Sequence, residues 1–215
     1  FAKKIVKRGI TEIVTPGLSY NPQLLEASEH NFLAALYSEG EENTLKTGIA
    51  FLDISTGTVH IAEGMMPYIE SLLSQYAPKE LLVQKGREKS WKAREAGNLC
   101  VSTIDDWAFV HTAADEKVKS HFGVESLKGF GAEQLPLAVS AVGAALFYLE
   151  LTQHAQYSHL CSIQRIDREQ FMWLDRFSIR NLELFPVRDN KEKGTTLSDV
   201  IDKTKTPMGA RLLRQ

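Results

Sequence analysis

Thr47-Gly48-Ile49-Ala50-Phe51-Leu52-Asp53-Ile54, then Ser55-Thr56-Gly57, then Thr58-Val59-His60-Ile61-Ala62, is the stretch that decides the fold class. The first run is apolar and predicts a strand. Ser-Thr-Gly predicts a turn, and the alternating return predicts an antiparallel partner, so the stretch reads as a β-hairpin. Upstream, Glu12-Ile13-Val14-Thr15-Pro16-Gly17 reads as a strand ending in a Pro-Gly turn. Between them, Phe32-Leu33-Ala34-Ala35-Leu36-Tyr37 fits a strand or a short helix end, and its apolar run alone does not decide. Downstream, Tyr68, Ile69, Leu72, Leu73 and Tyr76 fall at helical spacing, and Pro78 stops that helix. Residues 79–84 and 99–104 read as further strands, and 112–122 as a polar amphipathic helix. The order of elements predicts a mixed α/β domain.

Beyond this domain, the glycine-rich stretch 123–131 reads as a joint, with Gly129 and Gly131 as its hinge. Residues 135–156 then predict a helix of roughly 30 Å that is apolar on nearly every face. Such a helix needs neighbours all round, and several are expected outside this sequence. The expected domains are therefore residues 1–130, α/β, and residues 131–215, an all-α portion. A boundary near Phe171 is an alternative. Thr206 is a good N-cap and Pro207 suits the first helical position, so a helix is expected to begin there. Its Leu212 and Leu213 lack a partner, and the start at Phe1 carries no initiator Met. Both features fit an excised middle piece of a larger protein.

Composition limits the functions open to the chain. With 43% apolar residues in 215, it can build a core and is not a disordered segment. A formal net charge of -2 gives no global pull toward nucleic acid. Cys100 and Cys161 make no disulfide scaffold and fit a reducing, cytoplasmic setting. The longest apolar region, residues 138–151, is shorter than the roughly 18–20 residues of a membrane span and carries Glu150.

Asp53, inside a hairpin strand, is the sharpest chemical candidate. The arrangement looks like the ribonuclease H-like fold, where an aspartate on the first strand helps hold two divalent metals. Glu70 and Asp105 or Asp106 are the carboxylates available to converge with it. The plainer reading, surface acids and turn caps, is favoured. Cys100, His154, His159 and Cys161 contain only one close pair, a poor match to zinc-ligand spacing. Lys85, Arg87, Lys89, Lys92 and Arg94 form a basic run with one aromatic, Trp91, so a solvated face is favoured over phosphate binding. There is no phosphate-binding glycine loop, and no catalytic or metal-binding residue is assigned. Arg180 and Asn181 read as structural.

Two blocks near the end, residues 174–184 and 202–214, resemble the opening of the core domain of MutS, the DNA mismatch-recognition ATPase. Val6-Lys7-Arg8 with residues 12–17 resembles the segment leaving that family's mismatch-binding domain. Residues 31–35 and 52–57, Phe122-Gly123-Val124 and Gly129-Phe130-Gly131 resemble its connector domain. The likeness covers nearly the whole chain. It implies a ribonuclease H-like connector that is not a nuclease, followed by the start of the helical core, or lever. It also implies a homodimeric parent that binds mismatched double-stranded DNA, with ATP and magnesium held in an ATPase domain outside this sequence. The connector links the mismatch-binding and ATPase parts and docks the MutL partner. On this resemblance Asp115, Glu116 and Lys117 are the expected partner-binding residues, although the family commonly has glutamine there. A metal-dependent nuclease is the alternative.

Overall fold

The computed structural model describes residues 15–18, 30–39, 46–94, 99–153, 157, 159–167, 174, 176–185 and 195–213. The expected strand at residues 12–14 lies outside them. β1 (Phe32–Glu39), β2 (Lys46–Asp53) and β3 (Thr58–Met65) form an antiparallel meander, with Phe32 opposite Asp53 and Asp53 opposite Thr58. Residues 32–37 are therefore strand. They are apolar throughout because both faces of the sheet are covered, which removes the usual alternation. β4 (Glu80–Gln84) runs parallel to β1, β5 (Cys100–Ile104) parallel to β4, and β6 (Ser162–Arg165) parallel to β3. The order across the sheet is β5-β4-β1-β2-β3-β6.

Two helical layers cover the sheet. On one face α1 (Met66–Tyr76) and α2 (Glu88–Arg94) pack Leu72, Leu73 and Trp91 against Phe32, Phe51 and Leu81. On the other, α3 (His111–Phe122), α4 (Pro136–Gln153) and a 3-10 turn, Asp106–Phe109, pack against Leu33, Leu52, Ile61 and Leu82. Alternate residues of each strand feed the two cores, as the pleat requires.

The division expected between residues 130 and 131 does not fall at a break in packing. α4 lies on β1 and β2 with α3 and the 106–109 turn against it, and β6 follows it into the same sheet. The neighbours that an all-round apolar helix demands are thus within this chain. α4 approaches closely at both contacts. A Cβ on Gly48 of β2 would overlap the Leu137 carbonyl and the Ala138 nitrogen, and one on Gly143 would overlap the Ala114 methyl of α3. One packed body extends through β6, and Ile166 still donates to the Ile61 carbonyl at 2.9 Å.

Short helices follow: α5 (Arg176–Asn181), α6 (Leu197–Ile201) and α7 (Pro207–Leu213). α7 begins where Thr206 and Pro207 predict, and Thr206 Oγ1 accepts from the Gly209 nitrogen at 3.2 Å. α6 carries a capping box between Thr196 and Asp199. Phe177, Met208 and Leu212 are 74%, 74% and 71% exposed, so these helices bury little apolar surface among the described residues.

Candidate functional site

The acids that two-metal chemistry would need do not converge. Asp53 ends β2 beside the start of β1. Asp105 follows the end of β5, which runs parallel to β4 and β1, so the two lie at opposite ends of the strands. Glu70 is exposed on α1. Among the described residues, no three His, Cys, Asp or Glu side chains gather as a metal site. Asp53, fully buried, spends its oxygens locally. Oδ1 accepts from the Ser55 nitrogen at 2.9 Å and the Ser55 hydroxyl at 2.6 Å, and Oδ2 accepts from His30 Nδ1 at 2.6 Å. Burial pushes its carboxyl up, but the hydrogen bonds from His30 and Ser55 outweigh burial and hold it below the ordinary range. Asp53 is a turn-forming residue, and the nuclease alternative has no geometric support.

Cys100 and Cys161 sit at opposite edges of the sheet, about 24 Å apart at the usual strand spacing, so they cannot share a zinc ion. His154 lies outside the described residues. The basic run is half helix: α2 buries Trp91, while Lys85, Arg87, Lys89 and Lys92 are exposed.

Two buried carboxylates that sequence reading passed over hold α4 in place. Glu63 Oε2 accepts from the Leu137 and Ala138 nitrogens at 2.9 and 3.3 Å, and Lys46 Nζ lies 2.6 Å from Oε1. An acid at a helix start meets unpaired N–H groups and the positive dipole end. Glu80, also fully buried, accepts from Ser102 Oγ at 2.5 Å, Tyr148 Oη at 2.7 Å, Thr15 Oγ1 at 2.5 Å and the Gly17 nitrogen at 3.0 Å. It ties β5, α4 and the 15–18 segment to the start of β4. Burial first, and then the Glu80 contact, push the Tyr148 phenol up to about 12. The signal for Glu63 was its register with inward-facing Val59 and Ile61. That for Glu80 was an acid opening an apolar strand.

The sequence profile of the family described as MutS domain II matches residues 31–161, more than half of the chain. The chain belongs to the MutS family. The DNA mismatch repair protein MutS of Parabacteroides distasonis is 45% identical over 213 residues, covering 99% of this chain and 24% of the relative. The MutS proteins of Bacteroides fragilis and Porphyromonas gingivalis are 44% and 46% identical over 213 residues, again 99% of this chain and 24% and 23% of theirs. The chain spans about a quarter of the length of the curated relatives it matches. The MutS domain II match crosses residues 130 and 131, as the packing does.

On this MutS domain the expected partner-binding residues do not share a face. Asp115, Glu116 and Lys117 are consecutive in α3, about 100° apart around the helix. Asp115 pairs with Lys119 at 2.6 Å and lines a cavity of about 220 Å³ with His111, Ser126 and Glu133. Glu116 points to solvent. Lys117 turns toward α4, with Nζ 2.6 Å from Glu150 Oε2 and 5.4 Å from the Phe147 ring centre. Burial would lower the Lys117 ammonium, but its Glu150 and Tyr157 contacts outweigh burial and raise it. Gly129 and Gly131 connect α3 to α4 within one layer rather than two bodies. Gly131, at φ 65°, closes the 3-10 turn Leu127–Phe130 through its nitrogen's bond to Lys128. No described helix is long and apolar enough to cross a membrane.

Proposed function

We propose that this chain is the connector segment of a DNA mismatch-recognition ATPase, with the start of its helical core or lever. In this reading it transmits motion between the mismatch-binding and ATPase parts, docks the MutL partner, and catalyses nothing itself. The observation that carries the reading is the MutS domain II match over residues 31–161, coincident with a body whose buried carboxylates all hold structure. The strand order β3-β2-β1-β4-β5, with only β2 reversed, supports a ribonuclease H-like connector to which β6 adds a further strand.

Transmission suits a stiff body. α4 is fixed to the sheet at its first turn by Glu63 and near its end by Tyr148 on Glu80, so a push on one end displaces the other. In this reading Gly129 and Gly131 lie inside the connector, between α3 and α4, and the lever begins beyond β6. The parent acts in the cytoplasm as a homodimer on mismatched DNA, and ATP and magnesium are handled outside this sequence.

The test is a calorimetric titration of the chain with the ATPase domain of its cognate MutL in moderate salt. Saturable binding supports docking by this segment. No binding, either to the chain or to its DNA-loaded full-length parent, removes docking and leaves a mechanical link alone.

A further inference from the structure

The two oxygens of Glu80 serve different parts of the chain. Oε2 accepts from Thr15 Oγ1 at 2.5 Å and the Gly17 nitrogen at 3.0 Å, both on the 15–18 segment ahead of the sheet. Oε1 accepts from Tyr148 Oη at 2.7 Å, near the end of α4, and from Ser102 Oγ at 2.5 Å, on β5. The oxygens belong to one carboxylate that turns about a single soft bond. A turn that follows one set of donors therefore draws the other oxygen off its own.

The 15–18 segment is the outer wall of this network. Thr15 is half-buried and Pro16 exposed, while Glu80 is fully buried. A Cβ on Gly17 would lie 2.8 Å from the Glu80 Cβ and 2.9 Å from Oε2, so the segment rests directly on the side chain. Asn31, just before β1, holds the segment from the sheet side, its Nδ2 donating to the Pro16 and Gly17 carbonyls at 3.2 and 3.3 Å. Burial is the largest cause of the raised Tyr148 phenol, followed by the opposed contacts of Ser102 and Glu80, and Thr15 is also among the groups that act on it.

We propose that Glu80 is a relay between the 15–18 segment and the end of α4, in which lifting the segment loosens the Tyr148 anchor and seating it restores the anchor. With the segment seated, both oxygens are paired out of water. With it lifted, Oε2 has no donor but water and the carboxylate turns toward it, because a charged oxygen left buried without partners is costly. Oε1 then gives up part of its hold on Tyr148 and Ser102. The side chain has two arrangements, and the segment selects between them. The proposal rests on the transmission half of the function above, and it names the side chain through which a displacement ahead of the sheet reaches α4.

The experiment is hydrogen exchange of the chain read by mass spectrometry. It compares the unaltered chain, Thr15→Val, Gly17→Ala, Tyr148→Phe, and Thr15→Val combined with Tyr148→Phe. Thr15→Val removes a donor at nearly constant shape, and Gly17→Ala lifts the segment with every donor kept. Each is expected to speed exchange at residues 147–153 by about threefold or more, with residues 58–65 of β3 unchanged. Tyr148→Phe should speed the same amides, and adding Thr15→Val to it should have no further effect there. Thr15→Val and Gly17→Ala effects confined to residues 15–18, a rise shared by β3, or additive effects in the double variant each overturn the relay. The DNA-loaded parent separates the relay from transmission. An ATP-dependent change at residues 15–18 that reaches 147–153, and stops short of them in Tyr148→Phe, supports both. A change at 15–18 that never reaches 147–153 overturns the relay and leaves transmission standing. No change at either removes transmission by this route, and the relay with it.

Discussion

Glu63 on β3 accepts the Leu137 backbone N–H at 2.9 Å, so a strand side chain, rather than a residue of the helix's own sequence, caps the first turn of α4. Its side chain is 1% exposed, while Lys46, its ion-pair partner, is 57% exposed and stays solvated if the pair is broken. Glu63→Ala should lower the unfolding free energy by about 2 kcal/mol, through a lost cap and unpaired donors. Glu63→Gln keeps an acceptor without the charge and should cost about half as much. Urea midpoints of the chain decide it, and an unchanged midpoint for the Ala variant would sink the capping role.

Gly48 sits directly beneath that same turn. A methyl group there meets backbone atoms of Leu137 and Ala138, which cannot rotate away as a side chain does. Gly48→Ala should therefore cost about 3 kcal/mol or more by lifting the start of α4 off β2. A thermal midpoint within a degree or two of the unaltered chain would show that the helix does not rest there.

The hairpin was legible because β2 and β3 are joined by a turn with its own chemistry, Asp53 to Gly57, and because apolar runs announce strands. Residues 162–165 were not legible as a strand. Ser-Ile-Gln-Arg at a sheet edge buries only Ile163, so the pattern carries almost no signal. The packing of α4 was not legible for a related reason. Apolar residues all round α4 tell how many neighbours it has, but not whether they come from this chain. For the expected docking residues a resemblance gives sequence positions, not the directions in which their side chains face. Steps of about 100° separate Asp115, Glu116 and Lys117 on any helix, but which of them turns toward α4 follows from the orientation of α3, set by Ala114 and Val118 against α4.

Acid should weaken the fold in two stages. Burial first, then the neighbouring His30, push the His60 imidazole below its ordinary 6.5, against a smaller opposing pull from Asp53. Burial also lowers His121, although its bond to the Leu160 carbonyl works the other way. The unfolded chain therefore binds these protons more readily, so their contribution is full above 6.5 and falls as pH drops toward the folded values. Asp53 is also depressed, so its contribution persists to lower pH and is lost below its ordinary 3.8 as the folded value is passed. His60→Phe keeps a ring among Phe32 and Tyr76 and should flatten the stability slope between about pH 7 and 5. Urea titrations across that range check it, and an unchanged slope would move the proton uptake elsewhere.

Glu80 should tolerate glutamine far better than leucine, and the reason lies in which donors can also accept. Gly17 N–H can only donate, whereas Thr15, Ser102 and Tyr148 hydroxyls can reverse their roles. A glutamine at position 80 can keep its carbonyl toward Thr15 and Gly17 and give its two N–H groups to Ser102 and Tyr148. Glu80→Gln should then cost about 1 kcal/mol, while Glu80→Leu strands several buried polar groups and should cost about 3 kcal/mol or more. The phenol supplies an independent reading. With the carboxylate gone, the Tyr148 value of about 12 should fall only part of the way toward 10, because burial remains its largest cause. Ultraviolet titration of Glu80→Gln against the unaltered chain measures that fall. A Glu80→Gln variant as unstable as Glu80→Leu would mean that the charge, and not the pattern of acceptors, holds α4 to the sheet.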